Sequence, residues 1–158
     1  MKFFLTTFFS VFSLVCIAQG KYGIVKSYAY QRPELPGTVP ENDPHHGIDT
    51  LYLVYLEVKN SVKPAWKTAV VGHQQFNVIP TNIPSPVQPG VLANSSDTIT
   101  LHTHKNNKMW QLTLEKAGVI TTKNACFNNE IVLKGRWRKQ RAIYRVKPIK
   151  VLQPMLTM

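Results

Sequence analysis

TLYLVYLEVK, residues 50–59, is the stretch on which the fold turns. Successive side chains of a strand point to opposite faces. Leu51, Leu53 and Tyr55 fall on one face, and Tyr52, Val54, Leu56 and Val58 on the other. Both faces are apolar, so the spacing predicts a central strand covered on both sides. Glu57 interrupts the first face. Lys59 lies two residues on, on that same face, so the expectation for Glu57 is a strand-end ion pair or a solvated carboxylate. Burial among apolar neighbours would instead raise its pKa.

Working outward, no segment shows a sustained 3.6-residue apolar period. Short alternating runs are broken by Pro, Gly and Asn, which reads as all-β. KYGIVKSYAY (21–30) is a first strand. Residues 31–49 carry four prolines and read as a long loop, because proline removes a ladder donor. Asn60 to Pro64 is a turn, 65–71 a further strand, and Gly72-His73 turns the chain into 75–79. Residues 80–96, again with four prolines, are expected to form a surface linker lying in part along a sheet edge. Residues 148–158 read as a tail.

Two hairpins follow from turn chemistry. In DTITLHTHKNNKMWQLTLE (97–115), Asn106-Asn107 suits a two-residue type I′ turn. That register sets Thr103 opposite Trp110, Leu101 opposite Leu112 and Ile99 opposite Leu114. It also sets His104 opposite Met109. In the second hairpin, over 128–147, Lys139-Gln140 is taken as the turn. Ile131, Leu133, Trp137, Ala142, Tyr144 and Val146 then share one face. Lys134, Arg136, Arg138, Arg141, Arg145 and Lys147 share the other with Ile143. Trp137 and Tyr144 are therefore expected in the core. That argues against a single-stranded nucleic-acid site, which needs exposed aromatics beside the charge. The sum is an antiparallel two-sheet sandwich, loosely immunoglobulin-like, with a small barrel as the alternative.

The ends set the compartment. MKFFLTTFFSVFSLVCIAQG reads as a signal peptide over residues 1–18, with a basic start and an apolar run too short to span a bilayer. Cys16 and Ala18 occupy the small-residue positions before cleavage, and Val15 does not fit a lipoprotein signal. Residues 19–158 form one domain, 140 residues long, with no transmembrane segment expected in it. A chain of that size buries roughly 68% of its unfolded surface and needs no disulfide. None is available within it: Cys16 leaves with the signal and Cys126 is left single, expected as a buried, idle thiol. Loss of Lys2 takes the net charge from +11 to +10. That charge suits an acidic partner without demanding one.

The Ala18-Gln19 junction, the TLYLVYLEVKN strand and the closing EIVLKGRWR resemble small, uncharacterised exported β-domain proteins of bacteria. The resemblance implies a secreted or periplasmic β-domain and brings no catalytic residue with it.

Catalytic signatures are absent: no G-x-S-x-G elbow, phosphate-binding glycine loop, H-E-x-x-H or C-x-x-C occurs. Asn94-Ser95-Ser96 matches a glycosylation sequon, to which a bacterial-style leader gives little meaning. The five histidines offer more. His102 and His104 are two apart on one expected strand face, about 7 Å from each other. With Met109 across the register and His45, His46 or His73 nearby, they would suit copper or zinc. The sequence reading is thus an exported, non-catalytic binding or structural module of unknown ligand, with a basic hairpin face (Lys134, Arg136, Arg138, Arg141, Arg145, Lys147) that either splays into water or is neutralised by an anionic surface or acidic partner. The alternative is a periplasmic or secreted metal-binding protein using His102, His104 and Met109. The leader carries a prediction of its own. Intact-mass measurement of the exported protein should show Gln19 as the first residue; retention of Met1 in the exported fraction would refute cleavage.

Overall fold

The computed structural model describes residues 21–36, 49–119 and 129–157. Eleven strands run β1 (Ile24–Pro36), β2 (Asp49–Lys59), β3 (Trp66–Val71), β4 (Gln74–Ile83), β5 (Val87–Val91), β6 (Thr98–Leu101), β7 (Asn107–Val119), β8 (Ile131–Trp137), β9 (Gln140–Val146), β10 (Ile149–Val151) and β11 (Met155–Thr157). Nine form one large curled sheet in the order β10-β1-β2-β7-β4-β3-β8-β9, with β11 also on β1. The remaining two, β5 and β6, make a small second sheet. All pairings are antiparallel except those of β10 and β11, which run parallel to β1. No helix among the described residues is long and apolar enough to cross a membrane.

β2 sits between β1 and β7 and is buried on both faces, as its pattern requires. Val54, Leu56 and Val58 point into the curl. There they meet Ala29, Trp66, Ala69, Phe76, Leu112, Leu114, Ile131, Leu133, Ala142, Val146 and Ile149. Every strand of the main path lends a side chain to this core. Leu53 and Tyr55 point the other way, into a second core with Tyr30, Leu101, Met109 and Leu152, roofed by Val87, Leu92 and Ile99 of the small sheet and its margin. Burial there pushes the Tyr30 phenol up to about 12, so it stays protonated.

The curl nearly closes. β1 and β9 stand at opposite ends of the order, yet Ser27 Oγ and Tyr144 Oη share a hydrogen bond at 3.2 Å. The main sheet is in effect a half-barrel, with no ladder between β1 and β9 among the described residues. Past β10 the chain straps the two sheets together. The Leu152 amide donates to Gln31 O on β1 at 2.9 Å, and the Gln153 amide to Val91 O on β5 at 2.8 Å.

Several expectations are corrected. The 97–115 hairpin does not form. The Asn107 amide bonds His104 O at 3.1 Å, closing a turn around Lys105-Asn106, but the flanking strands then part. β6 pairs with β5, and β7 is claimed by β2 on one edge and, over a longer ladder, by β4 on the other. Local alternation fixed the inward face of β7 (Trp110, Leu112, Leu114) but not its partners. The "loop" from residue 31 is strand as far as Pro36, and the "linker" holds part of β4 and all of β5. Proline is tolerated in β4 because β3 flanks only 74–77, so Pro80 lies where the strand has a single neighbour. The "tail" contributes β10 and β11.

The last hairpin forms with its turn one residue earlier, at Arg138-Lys139. Both residues have positive φ (47° and 67°), as a type I′ turn requires. Leu133 now faces Tyr144, and Arg136 faces Arg141. Slipping both strands together keeps the parity, so Trp137 and Tyr144 stay on the inner face. Both pack on Tyr22, with ring centroids 5.8 and 6.5 Å away. Gly135 permits the crossing of β8 over β3: a Cβ there would lie 2.3 Å from Ala65 O. Gly135→Ala should therefore lower the unfolding free energy by roughly 1–3 kcal/mol in denaturant titration. A change within a few tenths would show that the two strands are not in this contact.

Candidate functional site

Two places concentrate polar chemistry. The first is Glu57. It lies on the second-core face of β2, fully buried, next to Leu53 and Tyr55 in alternation and across from Met109 on β7. A carboxylate cannot sit in such a place without donors. The 104–107 turn supplies them. Glu57 Oε1 accepts from the His104 amide at 2.8 Å, from His104 Nδ1 at 2.8 Å and from Asn107 Nδ2 at 2.5 Å. Oε2 is buried with no partner among the described residues. Burial raises the Glu57 pKa, but the bonds from Asn107 and His104, with the imidazole's charge, outweigh it and leave the carboxyl below its ordinary value. The expected strand-end ion pair or solvated carboxylate is corrected, because Glu57 is buried and bonded to the turn; nor does its burial end in a raised pKa. The cause is the turn, which the sequence reading set at Asn106-Asn107, one residue late, and whose donors it could not aim.

The second place is the outer face of β8–β9. Lys134, Arg136, Arg141 and Arg145 share it with the exposed Ile143. Arg136 and Arg141 stand directly opposite each other. Arg145 is ion-paired with the buried Glu130. Arg138 lies at the hairpin tip, and Lys147 follows β9, bordering an open cleft of about 410 Å³ with Asn129, Glu130 and Pro148. Exposed Lys67 enlarges the patch from a bulge on β3, beside the Thr68–Lys134 pair. Sequence reading missed Lys67 because the β3–β8 pairing is not local.

The expected metal set divides. β6 ends at Leu101, so His102 and His104 lie on the segment after the strand, both exposed. Met109 is buried in the second core, paired with Glu57 and Ile83 rather than with His104. His73 stands at the β3–β4 turn, beside a different cleft. His45, His46 and Cys126 lie outside the described residues. Among those described, no three His, Cys, Asp or Glu side chains gather as a metal-binding group. No protein-family model, curated protein or solved structure matches this chain.

Glu57 makes acid stability the testable property. Its folded pKa is depressed, so its contribution is full above the unfolded carboxylate's value of about 4.3 and is lost as pH falls through the lower folded value. The denaturation midpoint of the wild type should fall between about pH 5 and pH 3, and that of Glu57→Gln should fall less over the same range. Parallel curves for the two proteins would show that Glu57 does not carry this linkage.

Proposed function

We propose that this protein is an exported, non-catalytic β-domain that docks on an anionic lipid surface through the outer face of β8–β9. The observation that carries the reading is the Arg136–Arg141 pair. Like charges directly opposite destabilise a sheet. Among the described residues, no carboxylate comes within ion-pair distance of Lys134, Arg136, Arg138 or Arg141. An anionic partner would remove that repulsion.

The form of the patch supports a surface as partner. The cations stand on an exposed sheet face around Ile143, which is 44% exposed and able to press into a headgroup layer. The aromatics that would stack bases face inward instead. The leader and the basic charge agree with export into an envelope bearing acidic lipids. No acid, base and nucleophile converge at either place described, which supports binding over catalysis.

Sedimentation with vesicles of anionic and of neutral lipid, at low and at physiological salt, tests the proposal. Wild type should bind the anionic vesicles alone and weaken as salt rises. Arg136→Ser/Arg138→Ser/Arg141→Ser should lose about 1 kcal/mol per arginine, up to roughly a hundredfold in affinity. Equal binding by both proteins would overturn it. So would preference for heparin over vesicles, which would point to a soluble polyanion.

A further inference from the structure

His104 is held in an unusual way for an exposed residue. Its side chain is 61% exposed, while the carboxylate that grips it is fully buried. An ionised carboxylate only accepts hydrogen bonds. Glu57 Oε1 already accepts from the His104 amide and from Asn107 Nδ2, so it acts as the acceptor in the 2.8 Å contact too, and the proton there belongs to His104 Nδ1. Neutral His104 therefore carries its free lone pair on Nε2, the nitrogen not engaged by Glu57. A carboxylate behind an imidazole is the arrangement that fixes the tautomer and raises the basicity of metal-ligating histidines. The Glu57 charge has no second outlet among the described residues, where Oε2 meets no donor. His102 is exposed two residues back, its Cα within about 7 Å of that of His104 on any path of the chain.

We propose that His104 Nε2, with His102 beside it, is a surface site for one divalent transition-metal ion of imidazole preference, oriented by the buried Glu57 carboxylate. Water fills the other positions, and Met109 takes no part. Exposed Lys105 and Lys108 nearby hold the affinity down through charges that solvent screens. The site is built from the β6–β7 connection and β2, outside the β8–β9 hairpin, and does not depend on membrane docking.

Two measurements on the processed full chain decide it. Calorimetric titration with zinc or copper(II) in a non-chelating buffer should show one ion per chain. His104→Ala should abolish binding, His102→Ala should weaken it, and Glu57→Gln should weaken it by about 10–100-fold. Nitrogen NMR of the metal-free protein should show His104 as the Nδ1–H tautomer, reverting in Glu57→Gln to the mixture of a free imidazole. The tautomer measurement needs no metal and, on wild type, no variant. An Nε2–H tautomer in wild type, or metal binding undiminished in a folded His104→Ala, would overturn the proposal.

Discussion

A strand that is apolar on both faces cannot be satisfied by a single layer, and the architecture follows from that constraint at β2. One face of β2 is covered by the rest of its own sheet, which bends until β9 returns to β1. The other face needs a second cover, and the small β5–β6 sheet supplies it. A two-stranded ribbon is marginal by itself in water. It persists because Leu101, Val87, Leu92 and Ile99 close over Tyr30, Leu53, Tyr55 and Met109, and because residues 151–153 bond to β5 and β1 together. The second sheet is thus a consequence of the first one's surplus of apolar surface.

Glu57 is the one buried carboxylate on that strand, and it lies where β2 approaches the 104–107 turn. The turn comes after β6 and before β7, at the point where the chain leaves the small sheet for the large one. A buried carboxylate with three donors from that segment fixes the crossing in direction as well as position. An apolar residue at 57 would fill the volume but leave the His104 amide and the Asn107 amide group without this acceptor. Asn60 adds a second tie, its amide donating to Asn106 O at 3.2 Å.

What the sequence made legible was parity. The inward residues of β2, β7, β8 and β9 follow from alternation alone, and the slip of the last hairpin left its faces intact because both strands moved together. Partnership was not legible. Thr98–Leu101 and Asn107–Val119 alternate as a hairpin should, and the turn between them forms, yet β7 pairs with β2 and β4 because those strands offer longer ladders and a shared core. The strongest misreading came from proline. Pro33, Pro80 and Pro89 all lie in strands: Pro33 falls between the ladders to β10 and β11, Pro80 beyond the ladder to β3 and Pro89 in a bulge, so each sits where pairing is incomplete. The donors of Glu57 and the contribution of Lys67 share one cause. Each depends on residues distant in the chain, and spacing within a segment carries no trace of them.

The basic face has a second physical explanation, and the topology weighs against it. β9 ends the path of the large sheet, and charged side chains on an edge strand discourage pairing with another copy. That would account for Arg141 and Arg145. It does not account for Lys134 and Arg136, which belong to β8, one strand in from the edge and paired on both sides by β3 and β9. Lys67 lies on β3, a strand further in. Protection of an edge needs charge on the edge alone. A patch that runs inward across three strands, with Arg136 and Arg141 set against each other, extends further than the protection of an edge requires.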